Sequence, residues 1–227
     1  MQYIRYDTLD STMNQAAGLL PKVSSPFCVT ARTQTRGRGK PGRSWHDSAG
    51  ESLLITFAFA CSRPPGEYSF AAGLAVRSAL LRVCGMDTRL KWVNDVYSGG
   101  KKLCGILCER VREGGADHML IGIGVNVREA VFPEDLNATS VYLETGRLIE
   151  PAVLAAPLAR ELESCLELSF DSVRDRWSRN MLLLGEQASV SCGGSVLTGI
   201  VKGIDPEGRL LLQTEDGLQS LSSGTFL

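Results

Sequence analysis

Between residues 88 and 127 three β-prone segments follow one another, each cut from the next by glycine. They are TRLKWVNDVY (88–97), KKLCGILCERV (101–111) and HMLIGIGVNV (118–127), separated by the turns SGG and EGGAD. Glycine supplies the positive φ of a tight reversal, and β-branched and aromatic side chains suit a pleated surface. Connections this short cannot carry a chain back for parallel pairing. The pattern therefore predicts an antiparallel meander of three strands.

Other segments place elements around that meander. FCVTAR (27–32) reads as a strand, and ESLLITFAFA (51–60) as a strand buried on both faces. NQAAGLL reads as a helix capped by Asp10 or Ser11 and ended by Pro21. SFAAGLAVRSALLRVCG has helical apolar spacing with Gly85 as its stop. PAVLAAPLARELESCLELSF (151–170) and DSVRDRWSRNMLLL (171–184) read as two more helices, with Pro157 as a kink or the true start of the first. From Gly185 the character changes. ASVSC, VLTGIVKGI, GRLLLQT and LQSLSS alternate with the turns GGS, DPEG and EDG, which predicts a small β-barrel. A unit so short needs to dock on a larger neighbour. The organisation predicted is a main domain over 1–184 and a small barrel over 185–227.

Composition bounds the function. The chain has 227 residues, 44% of them hydrophobic and 22% charged, with a net charge of −1. Such a balance does not suit a protein that coats nucleic acid. Seven cysteines, an odd number with no C-x-x-C pair, and only two histidines (His46 and His118) far apart predict free thiols in a reducing cytoplasm and no metal site. The first residues, MQYIRYDTLDS, lack the apolar core of a signal peptide, and no run is long enough to span a membrane.

One stretch departs from this balance. TQTRGRGKPGRSW (33–45) crowds Arg36, Arg38, Lys40 and Arg43 among glycines and closes on Trp45. Arginine forks bind oxyanions, and glycine lets backbone N–H groups approach them. The loop is not a P-loop, since Gly42 is followed by Arg43-Ser44. An RNA-binding loop would need a wider basic face.

Upstream lies Asp10-Ser11-Thr12, and downstream KWVND (91–95), KKLCGILCE (101–109) and IGIGVNV (121–127). In this order and spacing the chain resembles the biotin protein ligases. Their pattern is G-R-G-R-x-G-R-x-W, then K-W-P-N-D, then K-x-x-G-I-L-x-E. The resemblance implies an α+β fold: a mixed, mostly antiparallel sheet flanked by helices, related to the class II synthetase core, with a C-terminal SH3-like barrel. It implies activation of biotin with ATP, accompanied by Mg²⁺, to biotinyl-5'-AMP. Transfer to a lysine of a biotin carboxyl carrier domain would follow. Because Ser11-Thr12 lies so near the start, it also implies a ligase without a DNA-binding domain and no DNA partner. Monomer and homodimer are both compatible with it.

By match to the family, Ser11, Thr12, Met13 and Gln34 take the biotin head group, with Gly105 giving close approach to its ring. Arg38, Gly39 and Lys40 close over biotin and adenylate. Arg36, Arg43, Trp45, Asn94 and Asn126 join Arg38 and Lys40 on the ATP side. Lys102 bridges the biotin carboxylate and the α-phosphate, and Asp95 orients or deprotonates the incoming amine, so that Lys102, Arg38 and Asp95 form the catalytic set. Departures are Lys40 for arginine, Val93 for proline and Met13 for asparagine. Two other readings share parts of the pattern: a ligase for another cofactor acid such as lipoate, and a biotin sensor without catalysis.

Overall fold

A computed structural model describes residues 1–40, 44–46 and 50–227. Strand β1 (Gln2–Leu9) runs parallel to β2 (Phe27–Gln34), and helix α1 (Thr12–Leu19) connects them. β1 escapes a reading by apolar periodicity because it is an edge strand whose side chains are largely exposed. Ser11 caps α1, its Oγ accepting the Met13 N–H at 3.2 Å. β3 (Ser52–Ala60) pairs antiparallel with β2, and helix α2 (Pro65–Cys84) follows, ending on Gly85 at φ +71°. That left-handed cap is the stop the sequence predicts.

The meander forms, with one correction. The predicted first strand is two: β4 (Arg89–Lys91) and β5 (Asp95–Ser98), paired as a tight hairpin whose turn is residues 92–94. The cause is Asn94. Its Nδ2 donates to the Ile106 carbonyl at 2.7 Å, and its own carbonyl accepts the Ile106 N–H at 2.9 Å. The turn is thereby pinned to β6 (Lys101–Glu113), which pairs with β7 (Ala116–Asn126). The large sheet runs β1-β2-β3-β7-β6-β5-β4, parallel only between β1 and β2.

Helix α3 (Val141–Thr145) was not foreseen; Ser140 caps it. The two predicted C-terminal helices are shorter than their apolar runs. After a 3₁₀ turn over Pro151–Leu154, α4 spans Ala155–Glu167 and α5 spans Phe170–Arg179. Pro157 lies in the first turn of α4, where a missing N–H costs nothing. Beyond α5 the chain leaves the helix because residues 180–182 bond to Leu90, capping the β4 edge.

The C-terminal strands are β8 (Gln187–Cys192), β9 (Ser195–Ile204), β10 (Leu210–Thr214), β11 (Gly217–Leu221) and the unforeseen β12 (Thr225–Phe226). They form one antiparallel sheet in the order β11-β10-β9-β8-β12. The result is the α+β architecture expected.

Alternation along the strands divides the core. Leu53, Ile55 and Phe57, with Ile121, Ile123 and Val125, pack into the cluster that includes α2, α4 and α5. Val201, Leu210, Leu212 and Phe226 of the small sheet join the same cluster. Met13, Ala16 and Leu20 pack on the opposite face against Phe27, Val29, Ala58 and Leu120. Beyond α1, that second face is left open. No helix among the described residues is long and apolar enough to cross a membrane.

Candidate active site

The open face carries two cross-strand rows. One is Ala31, Leu54, Gly124, Gly105 and Asp95; the other is Val29, Thr56, Gly122 and Leu107. Residues directly opposite on neighbouring strands share a face. Glycine at 105, 122 and 124 therefore hollows the middle of the sheet. The hollow is the floor of a cavity of about 460 Å³.

Two side chains lie on this floor. The Trp45 indole covers the Gly105–Gly124 pair so closely that a Cβ at Gly124 would stand 2.5 Å from its Cε2 and one at Gly105 2.8 Å from its Cζ3. A Cβ at Gly122 would stand 2.8 Å from Met13 Sδ. The Trp45 Nε1–H is buried with no hydrogen-bond partner among the described residues.

At one end, α1 and β2 build a polar pocket. The Thr12 N–H, one of the unpaired donors at the start of α1, is satisfied by Gln34 Oε1 at 2.7 Å. Thr12 Oγ1 donates to the same oxygen at 3.0 Å, and Thr56 Oγ1 donates to Thr12 Oγ1 at 2.9 Å. Ser11 lies beside them.

At the other end the charge is positive. Lys102 Nζ stands 2.8 Å from Asp95 Oδ1 and 6.0 Å from the Trp45 ring centre. Lys91 Nζ donates to the Tyr97 hydroxyl at 3.3 Å and faces the Phe226 ring at 5.7 Å. Lys40 and Arg38 approach from the loop. Arg38 is latched across the mouth, Nη1 donating to Asn14 Oδ1 at 3.1 Å and Nη2 paired with Glu109. Asn14 in turn holds Asp10. Its side-chain hydrogen bond, with that of the Ser11 N–H, keeps the Asp10 carboxyl below the usual range.

The cavity thus gathers Ser11, Thr12, Met13, Gln34, Arg38, Gly39, Lys40, Trp45, Asn94, Asp95, Lys102 and Gly105. Two residues singled out from the sequence are not brought to it. Arg36 is exposed on the outside of the loop. Asn126 is 4% exposed, and its amide is committed to the Thr139 carbonyl at 2.9 Å, bracing the segment after β7. Arg43 lies outside the described residues. Sequence reasoning passed over Thr56, Gly122, Gly124, Lys91, Tyr97, Glu109 and Phe226. The alternation in IGIG would have exposed the two glycines, since residues two apart in a strand share a face. Phe226 carried no signal, because only the packing of the small sheet brings it there.

A trough that is polar at one end, cationic at the other and roofed by a glycine-arginine loop suits an enzyme that joins an acid to a nucleotide. Residues 5–126 match the biotin/lipoate A/B protein ligase family, and residues 184–227 the biotin protein ligase C-terminal domain. A biotin–[acetyl-CoA-carboxylase] ligase of Paracoccus denitrificans is 35% identical, over 92% of this chain and 93% of its own length. The bifunctional ligase/repressor BirA of Escherichia coli is 30% identical, over 92% of this chain and 68% of its own. The biotin protein ligase of Aquifex aeolicus, solved in complex with biotin and ATP, superposes with a TM-score of 0.88 at 29% identity, covering 100% of this chain and 97% of that one. The chain belongs to the biotin/lipoate A/B protein ligase family, as an ATP-dependent biotin protein ligase.

Proposed function

We propose that the chain activates biotin as biotinyl-5'-AMP and passes the biotinyl group to one lysine of a biotin carboxyl carrier domain. In the first step a biotin carboxylate oxygen attacks the α-phosphorus of ATP and pyrophosphate leaves. In the second the carrier amine attacks the acyl carbon, AMP leaves with the bridging oxygen, and the amine gives up a proton. Neither step needs a covalent link to the protein, so the work is positioning and charge neutralisation.

The observation that carries this reading is Lys102, whose ammonium, 2.8 Å from Asp95, lines the same cavity as the polar pocket and the loop cations. There a point charge meets both the carboxylate and the α-phosphate. Ser11, Thr12 and Gln34 receive the ureido ring, a head group with two N–H donors and a carbonyl, which the donors and acceptors of that pocket suit better than a dithiolane. Met13 and Gly105 line the ring's path. Arg38, Gly39 and Lys40 close over the adenylate, while Trp45 and Asn94 take its nucleotide side. Asp95, beside Lys102, receives the proton of the carrier amine. Arg36 and Asn126 are given no part in these steps, and Arg43, outside the described residues, keeps its expected place on the ATP side. A magnesium ion would arrive on the triphosphate. Among the described residues no three His, Cys, Asp or Glu side chains gather to hold a metal, and such a cation is held largely by phosphate oxygens and water. Residues 1–184 act here as the ligase domain and 185–227 as its appended barrel. Seven free thiols suit a reducing compartment that supplies ATP, such as the cytoplasm.

Biotin-dependent exchange of labelled pyrophosphate into ATP tests the reading. Wild type should exchange, and Lys102→Ala should lose about a hundredfold or more. Biotin binding without exchange in wild type would turn the reading toward a sensor; exchange driven by lipoate instead of biotin would replace the substrate.

A further inference from the structure

Thr56 lies outside the cavity and is fully buried, in the middle of the apolar strand β3. A hydroxyl in such a strand is costly unless it is spent on a hydrogen bond. Here it is spent on a single partner, Thr12 Oγ1, at 2.9 Å. The direction of every proton in the chain Thr56–Thr12–Gln34 follows from one fixed point. The Thr12 N–H can only donate, so the Gln34 atom 2.7 Å from it is the carbonyl oxygen. That oxygen then also accepts the Thr12 hydroxyl at 3.0 Å. With its proton committed to Gln34, Thr12 Oγ1 has only lone pairs left, and Thr56 must donate to one of them. The other lone pair is left for a ligand N–H. The Gln34 amide nitrogen is turned to the loop side, where a Cβ on Gly37 would stand 3.1 Å away.

We infer that Thr56 is a positioning residue that fixes the Thr12 hydroxyl in the acid-binding pocket. It holds the Thr12 hydroxyl, rather than its methyl, toward the relay, with an Oγ1 lone pair turned to the ligand. That arrangement selects an acid whose head group offers an N–H donor, as a cyclic urea does. The inference rests on the proposed biotin adenylation and adds a residue that never touches the substrate.

The test is pyrophosphate exchange with wild type, Thr56→Val and Thr56→Ser. Valine keeps the shape and removes the donor; serine restores the donor without the methyl. Thr56→Val should raise the biotin KM about tenfold, the effect of one misplaced hydrogen bond. The ATP KM and the rate at saturating biotin should stay within about twofold, and Thr56→Ser should return most of the loss. Desthiobiotin, which keeps the ureido ring and lacks the thiophane, should lose the same factor with the valine variant. A biotin KM unchanged in Thr56→Val would overturn the inference while leaving adenylation intact. So would a lower saturating rate and melting temperature at constant KM, which would make Thr56 a packing residue. Wild type without biotin-dependent exchange would remove the underlying reading, and the inference with it.

Discussion

Lys102 and Asp95 face each other across β6 and β5, their charged atoms 2.8 Å apart on the cavity floor. They are not opposite in the ladder; Asp95 pairs with Gly105, and a register shift between Val96 and Tyr97 brings the two side chains together. A lysine held this way has its counter-charge before substrate arrives, so an incoming carboxylate and phosphate exchange one anion for others instead of burying a bare ammonium.

This pairing separates the two half-reactions. Asp95→Asn should leave pyrophosphate exchange within about tenfold of wild type, because Lys102 remains. Transfer from preformed biotinyl-5'-AMP to a carrier domain should fall about a hundredfold, the usual worth of a positioned base. Single-turnover transfer measured beside exchange checks this; a loss in exchange with transfer unchanged would place Asp95 with adenylation alone.

Gly124→Ala tests the floor. A methyl there would stand 2.5 Å from the Trp45 ring, so the indole must lift. The strand conformation itself accepts alanine, and global stability should change by less than about 1 kcal/mol. kcat/KM for biotin should fall at least about tenfold, and Trp45 emission should shift as the ring leaves the sheet. Unchanged kinetics would mean that neither the indole's seat nor the hollow beneath it bears on substrate.

The floor also marks what could be read from the sequence. The meander, the Gly85 stop and the loop cations were legible because glycine, apolar period and charge act locally. Gly105 was legible through its motif. Gly122 and Gly124 lay in the quoted IGIG yet escaped notice, because their meaning depends on which face of β7 is open, and α1 decides that. Thr56 escaped because a lone hydroxyl in an apolar strand looks like ordinary strand composition until Thr12 is placed above it. Asn126 illustrates the converse: its motif neighbours face the trough, but its own amide is bonded to the Thr139 carbonyl. The splitting of residues 88–97 into two strands was set by Asn94 bonding to Ile106, a contact twelve residues away.

The thiols should report the fold. Burial pushes Cys28 up to about 12 and Cys165 up to about 11, and Cys104 is pushed up further still. At pH 8 these three hold almost no thiolate, which is the reactive form. Iodoacetamide should therefore label the half-buried Cys61 and Cys192 first in the native protein and reach all seven only after unfolding. Rapid native labelling of Cys104 would mean that the sheet around the site opens far more readily than its packing implies.

The last prediction concerns how the small sheet supports the site. Asp205, in the turn between β9 and β10, is only 7% exposed. Its carboxylate accepts the backbone N–H groups of Glu207 and Arg209 at 3.0 and 2.8 Å, Arg209 Nε at 2.6 Å and the Ser220 hydroxyl at 2.8 Å. Burial alone would raise its pKa. The hydrogen bonds from the Arg209 backbone, Ser220 and the Arg209 side chain, with that guanidinium's charge, outweigh burial and hold it below the usual carboxylate range. The same turn presents the Gly208 carbonyl, which accepts the Trp92 indole N–H at 3.0 Å, so it anchors the hairpin that carries Asn94 and Asp95. Asp205→Ala should cost about 2 kcal/mol at neutral pH, from donors left without their anion. Because the folded pKa is depressed, the contribution is present in full above the unfolded value near 4 and fades as pH falls through the folded one. Denaturant melts of wild type and variant should therefore converge in that acid range and stay apart at pH 7. The variant should also weaken biotin-dependent exchange through the loosened Trp92 anchor. Stability lost without any change in exchange would confine Asp205 to the small sheet and release the site from its support.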